Sequence, residues 1–343
     1  EIEQSDTISV ELGYGLVALA SKEGGGTLLG RIRGVRKKLS AELGFLLQTI
    51  RVRDNLEFAP DAYKILLRGI ARGKGEMKIG HDLAINPGNA TAPLDATPTK
   101  EPAFGLSAYW ILPAQRDYAR MLGYTVVDAS TAIATHLNMV LKDNAPELLG
   151  HEETRQLLDK VAERSPQLME GLVPEKLTLA TVNQILKNLI AEDIPLRDMR
   201  SIVESLVVES GKSKDPDELT ALIRPRLGLF MMQSLVDLGQ TLSVITLETD
   251  LEHLISNTLL QSRKSGELVM DPKLAENLFT AIDAEKRQTE DKGIPAVLIV
   301  SPGIRPWLAK AMRMRSPGLR VLSYTEIPED QDVKVIAKIG LNV

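Results

Sequence analysis

Few stretches of the 343 residues place reactive side chains at a spacing that chemistry would need. "ESGKSKD" (209–215) ends like a phosphate-binding loop, in which backbone amides and a lysine cradle phosphates. That loop requires a glycine five positions before Gly211, where Leu206 stands, and it should leave a strand rather than a helical repeat. Gly24, Gly25 and Gly26 lie between a strand-like and a helix-like segment but lack the spaced third glycine and the later acidic residue of a dinucleotide fingerprint. His81, His136, His151 and His253 make no i, i+4 pair, and "HEET" (151–154) lacks the second histidine of a zinc-protease helix. Thr135 precedes His136, but adjacent helical side chains point about 100° apart and pair poorly. Without cysteine there is no thiolate nucleophile, thiolate metal site or disulfide. Glu42, Asp54 and Glu57 can be imagined as a diffuse carboxylate site, with no spacing to support it. No catalytic set, metal site or cofactor is expected.

What the sequence does offer is a corner. "TPTKEPAFGLSAYWI" (97–111) sets an acidic residue, a proline and a phenylalanine at the end of a loop, just before a strand. "YTVVDASTAIATHL" (124–137) runs a strand into a Ser/Thr-rich helix start, where Ser130 or Thr131 is expected to cap the helix. With aromatics at only 4%, Phe104, Tyr109 and Trp110 within seven residues stand out. Tyr109 and Trp110 should face opposite sides of their strand.

The elements that must position this corner follow from periodicity. Val10, Leu12, Tyr14 and Leu16 alternate as a strand, "SKEGGG" (21–26) reads as a loop, and Leu28, Leu29, Ile32, Val35, Leu39 and Leu43 mark a helix closed by Gly44. Strands are predicted at 45–53 and 62–70. Pro87, Pro93, Pro98 and Pro102 forbid a continuous helix or a central strand across 80–105, leaving a long functional loop or part of a small inserted subdomain. Strands at 107–112 and 123–128 flank a short helix near 114–122, and a further helix runs from about Ser130 to about Lys142. From 151 to about 230 the pattern is helical, with Pro195 at a first turn and Asp215–Pro216 as N-cap and first position. The rest is mixed: helices at 249–262 and 273–287, the latter after Asp271–Pro272, then strands at 295–301, 319–324 and 333–340 around a short helix.

The composition, 43% hydrophobic and 25% charged, is that of a globular chain too long for one core. A net charge of -5 argues against non-specific nucleic-acid binding. The basic run "RIRGVRKK" (31–38) has no interleaved aromatics to stack bases and reads as a solvated helix face. No run approaches the roughly 18 apolar residues of a membrane span, and no signal peptide is visible.

Several ordered segments resemble one family. "LGYGLVAL", "GRIRGVRKKLSAELGF", "IRVRDNL", "LAINPG", "EPAFGL", "GYTVVDASTAIATHL", "PLRDMRSIVESL" and "SKDPDELTALIRPRLG" together are similar to the cytoplasmic half of the flagellar type III export-gate family. The likeness runs from about residue 7 to about 340. "VVDAS" followed by "ATHL" favours the flagellar branch over the related injectisome branch.

The resemblance implies a multidomain α/β chain: a mixed α/β unit at 7–79 and 129–148, an inserted small α/β subdomain at 80–128, a helical bundle at 149–228 and a small α/β domain at 229–343. Residues 1–6 would end a linker from a membrane half that precedes them, placing the chain at the cytoplasmic face of the inner membrane. The implied role is that of a non-catalytic docking platform for export chaperones carrying unfolded late substrates, and for other export components, in a nine-membered ring. No nucleic acid is implied. Detached from its membrane half, the chain is expected to be mostly monomeric; light scattering distinguishes this from a stable nonamer. Rival readings are the injectisome counterpart, a pure ring scaffold and an uncharacterised enzyme. The family's docking depression maps onto Glu101, Phe104 and Thr135, with Ile85, Pro87, Leu106 and Val127 as surrounding apolar positions. Ala132 stands where relatives often carry a larger aliphatic. Gly13, in "LGYG", maps onto a glycine that matters to subdomain arrangement and is a hinge candidate, with close backbone approach as a physical reason.

Overall fold

The computed structural model describes residues 6–21, 26–265 and 270–340. These form two compact units, one running to Thr154 and taking in Pro195–Arg197, the other comprising Arg155–Ile194 and the residues from Asp198 on. The mixed α/β class expected from the sequence is the one observed.

In the first unit, β1 (Ile8–Leu12), α1 (Leu28–Leu43), β2 (Ile50–Asp54), β3 (Ala62–Leu67) and β4 (Ile70–Glu76) build a sheet of order β2-β1-β3-β4. The β1–β2 pair is parallel, with α1 as its crossover, and β3 and β4 add antiparallel. Ile8, Val10 and Leu12 of β1 and Tyr63, Ile65 and Leu67 of β3 are buried, and α1 contributes Leu28, Ile32 and Leu39 to the core. Burial of each such aliphatic side chain contributes about 1.5–3 kcal/mol. Gly44 closes α1 in the left-handed region at φ 86°, which costs glycine little.

Three expectations need correction here. The first strand stops at Leu12 and a 3-10 turn follows, leaving Tyr14 63% exposed, so its alternation was coincidental beyond Leu12. The predicted strand at 45–53 narrows to β2, because 45–49 is coil. The run 62–70 is not one strand but β3, a turn with positive φ at Arg68 (50°) and Gly69 (77°), and the start of β4. Two positive φ values suit the right-handed twist of a hairpin, but Arg-Gly is a weaker signal for that turn than Asn-Gly. The "SKEGGG" loop lies mostly outside the described residues.

The proline-rich stretch supplies two strands, β5 (Asp82–Ile85) and β6 (Thr97–Lys100). With β7 (Ser107–Ile111) and β8 (Thr125–Val127) they form an antiparallel sheet of order β6-β7-β5-β8. β5 is central because it ends before Pro87, and Pro98 sits on the edge strand β6, where its missing N–H costs no ladder bond. One face of this sheet packs Ala84, Ile111, Tyr109 and Val126 against Leu94, Tyr124 and Ala119 of the short helix α2 (Arg116–Met121). Tyr109 and Tyr124 meet edge-on with centroids 5.9 Å apart, while Trp110 alternates to the other face. α3 (Ala129–Asp143) and α4 (Ala145–Leu148) follow. Asp128 caps α3 by accepting from the Thr131 N–H at 2.8 Å; Ser130 and Thr131 do not cap it.

In the second unit the helices α5 (His151–Arg164), α6 (Pro166–Glu170), α7 (Leu179–Ala191), α8 (Met199–Glu209), α9 (Pro216–Ile223) and α10 (Gly228–Met232) come first. Asp215 caps α9 with Pro216 at its first position, as the sequence signals. Pro195 instead lies in the coil before α8, which Asp198 caps. Gly211-Lys212-Ser213 turns the chain from α8 to α9, and Lys214 Nζ donates to the Ser210 and Lys176 carbonyls. That stretch stops a helix and follows no strand.

β9 (Leu242–Leu247), α11 (Thr249–Ser265), α12 (Pro272–Asp291), β10 (Val297–Val300), α13 (Arg305–Met312), β11 (Arg320–Ser323) and β12 (Val333–Ile339) complete the unit around a parallel sheet of order β11-β10-β9-β12. β9 is the element that periodicity missed.

A charged knot lies inside this unit. Glu192 Oε2 accepts from Arg224 at 2.7 Å and Arg305 at 2.5 Å, and Glu326 accepts from Arg224 Nε at 2.8 Å. Arg224 and Glu326 are each 2% exposed. Burial raises the Glu192 carboxyl, but the two guanidiniums outweigh it and hold the group below its ordinary value. A lowered carboxylate contributes stability above its ordinary value of 4.5 and loses it as pH falls through the folded value. Glu192→Ala, which removes the close carboxylate partner of Arg305 and one of the two of Arg224, is expected to cost about 3 kcal/mol in urea unfolding.

Candidate functional site

The corner at 101–106 is a turn tied by one residue. The Glu101 N–H donates to the Leu106 carbonyl at 2.8 Å, and the Gly105 N–H donates to the Glu101 carbonyl at 2.9 Å. The Glu101 carboxylate then accepts from the Ala103 N–H at 2.5 Å and the Phe104 N–H at 2.8 Å. Gly105 takes φ 69°, which a glycine adopts without strain. Glu101 is 3% exposed, whereas Phe104 is 66% and Leu106 41% exposed. The carboxylate therefore faces into the turn, and the phenyl ring faces out of it.

The strands beside the turn gather the remaining apolar positions. Leu83 lies opposite Val127 and Trp110, and Ile85 opposite Ala108, so these side chains share the face that looks away from the Ala84–Ile111 core. The Asn86 N–H donates to the Ser107 carbonyl at 2.8 Å, which continues the register and brings Pro87 opposite Leu106. Ile85 and Val127 are half-buried and Pro87 is exposed. α3 packs over β5 and carries Thr135, which is exposed and donates its hydroxyl to the Thr131 carbonyl at 2.9 Å. Ala132 is buried in α3.

Sequence reasoning missed a buried tyrosine–histidine pair. Tyr63 Oη and His136 Nδ1 are 2.8 Å apart, both side chains are buried, and the Glu101 charge acts on each. Burial, reinforced by that charge, pushes the Tyr63 hydroxyl well above its ordinary value. His136 drew notice only as the neighbour of Thr135. Its partner sits 73 positions away, a separation that no local pattern reports. Among the described residues no three metal-binding side chains cluster, and none of the helices is long and apolar enough to cross a membrane.

Gly13 lies at a close approach: a Cβ there would stand 2.1 Å from the Ala59 carbonyl oxygen and 2.7 Å from that of Pro60, while its N–H donates to the Ala62 carbonyl at 2.7 Å.

A family model described as "FHIPEP family" matches residues 1–332. The chain belongs to the FHIPEP family. This is the family relationship that the ordered motifs imply. Over 341 residues the chain is 42% identical to the flagellar biosynthesis protein FlhA of Proteus mirabilis, covering 99% of this chain and 48% of that protein. It thus spans about half the length of the curated relatives it matches. Among solved structures, Chlamydia pneumoniae CdsV superposes with a TM-score of 0.81 at 24% identity, covering 99% of each chain. The nonameric EPEC SctV-C superposes with a TM-score of 0.76 at 21% identity, covering 99% of this chain and 100% of that one. At these identities the structures establish a shared fold.

Two substitutions separate positioning from presentation. Glu101→Ala, which leaves the Ala103 and Phe104 amides without their acceptor, is expected to cost about 1–3 kcal/mol and to speed hydrogen exchange at both amides. Gly13→Ala is expected to lower the thermal midpoint, because both neighbouring carbonyls are backbone and neither can step aside alone.

Proposed function

We propose that this chain is the docking platform of a flagellar type III protein export gate, receiving export chaperones with their late substrates at the Phe104 corner. The observation that carries the reading is a large aromatic side chain held out of its own core by a fully bonded turn. Single exposed apolar residues are ordinary. Phe104 differs because Leu106, two residues on, is also 41% exposed and because the turn is fixed before a partner arrives. An aromatic anchor on a preorganised loop loses little freedom on binding and can contribute about 2 kcal/mol or more. The apolar side of an amphipathic chaperone helix is the matching partner.

In this reading Phe104, Leu106, Pro87, Ile85 and Val127 supply contact surface, Thr135 forms the α3 side, and Glu101 positions the turn. The four-part organisation at 7–79 with 129–148, 80–128, 149–228 and 229–343 belongs to the same proposal, with Gly13 as its hinge. So do attachment to a membrane half and self-association into a ring, for which the nonameric state of EPEC SctV-C is the supporting precedent. The 42% identity to a flagellar relative favours the flagellar over the injectisome branch.

Calorimetric titration with a cargo-loaded flagellar export chaperone tests the reading. Phe104→Ala should weaken binding by about 30-fold or more. As a surface change it should leave the circular dichroism spectrum intact and stability within about 0.5 kcal/mol. Unchanged affinity would remove Phe104 from the contact, and absence of binding by the parent chain would favour a ring scaffold.

A further inference from the structure

The charged knot of the second unit joins residues that the chain keeps far apart. Glu192 ends α7, and Arg224 opens the 3-10 turn Arg224–Leu227; both belong to the helical run from α5 to α10. Arg305 opens α13, and Glu326 closes the 3-10 turn Tyr324–Glu326; both belong to the α/β part built on β9–β12. Arg305 holds Glu192 with both Nη atoms, at 2.5 Å to Oε2 and 3.2 Å to Oε1, and its Nε lies 3.7 Å from Glu326 Oε1. Arg224 bridges the same two carboxylates, at 2.7 Å to Glu192 and 2.8 Å to Glu326. Each carboxylate thus takes one arginine from its own part and one from the other. Arg320 of β11 adds a further tie, donating to the Glu192 carbonyl at 2.9 Å and lying 3.2 Å from Asp193.

The knot also stands where the two parts meet. The most extensive packing between them joins the turns Arg224–Leu227 and Tyr324–Glu326. The residue that follows, Gly228, has no room for a side chain, since a Cβ there would stand 2.5 Å from the Glu326 carbonyl oxygen. By contrast, the apolar cluster around Leu251, Ile255, Leu278, Ile282 and Leu308 draws all its members from within 245–339. Apolar contact is non-directional and tolerates sliding. A guanidinium fork on a carboxylate does not, because two parallel bonds fix both distance and angle.

We infer that Glu192, Arg224, Arg305 and Glu326 form a latch that fixes the angle between the helical part and the α/β part. The second unit then moves as one rigid body, with no hinge at the 228–229 boundary. This goes beyond the docking reading and does not rest on it. Desolvation offsets much of what buried ion pairs gain, so the network acts on geometry more than on stability. Arg224 is 2% and Arg305 4% exposed, and burial keeps water from standing in for a lost partner.

The chain contains no cysteine, so Ala180→Cys on α7 and Lys310→Cys on α13, both at exposed positions, carry two spin labels and no others. Dipolar distance measurement on the whole chain should give one narrow distribution. Glu192→Leu combined with Arg305→Met removes the central pair and leaves Arg224 with Glu326, so that no charge is stranded. This variant should match or exceed the urea midpoint of the parent and yet lose the narrow distance. A network that only added stability would do the reverse, lowering the midpoint and leaving the distance unchanged. A broad distribution in the parent, or an unchanged narrow one in the folded variant, overturns the inference. If the double variant fails to fold, Arg305→Lys serves: it keeps the charge without the fork that grips both Glu192 oxygens. The narrow distance must again be lost, and its persistence overturns the inference. No chaperone takes part, so this outcome and that of the chaperone titration are independent.

Discussion

Two hydrogen bonds from the Ala103 and Phe104 amides to the Glu101 carboxylate fix the corner on which the proposed function depends. An ionised acceptor makes such bonds stronger than neutral ones, and burial at 3% exposure keeps water from competing for them. Removing the carboxylate would leave two amides to find other partners and the backbone free to sample other turns. What an incoming surface meets is consequently the phenyl ring and its apolar neighbours, not the charge. Glu101, which the family resemblance maps into the docking depression, also bonds the backbone of its own turn.

The two units solve the problem of buried charge differently. In the second, Glu192, Arg224, Arg305 and Glu326 neutralise one another within a closed network. Closed networks of this kind favour one arrangement over others more than they add stability, because desolvation offsets much of the Coulomb gain. In the first, the Glu101 carboxylate is satisfied by the Ala103 and Phe104 amides instead.

Family membership fits this picture without supplying its details. A TM-score of 0.81 at 24% identity means that the backbone path is kept while most side chains change. A turn closed by backbone bonds and a single carboxylate survives such change more easily than a wide set of side-chain contacts would.

Much of the element order was legible in the sequence. Helical periodicity located α1, α3, α5, α7, α8 and α9, because a buried apolar stripe imposes a 3.6-residue repeat whatever it packs against. Asp215–Pro216, Asp271–Pro272 and Gly44 marked helix ends through purely local bonds. The ordered motifs also carried the family. Where the sequence misled, the deciding interaction was not local. β5 and β9 are interior strands of their sheets, and a strand is completed only by the partners that hydrogen-bond to it. β1 ends at Leu12, and Gly13 after it approaches the carbonyls of Ala59 and Pro60, which the chain reaches some 46 residues later. Whether Glu101 faced solvent or its own turn, and whether His136 had a partner, depended on which side chains the two sheets of the first unit and α3 bring together. The residues themselves determined what chemistry was available: a carboxylate, a phenyl ring, an imidazole and a phenol, with no nucleophile–base pair at any recognisable spacing. Only the tertiary structure decided their roles, because burial and hydrogen-bond partners are properties of the packed chain and not of any stretch of it.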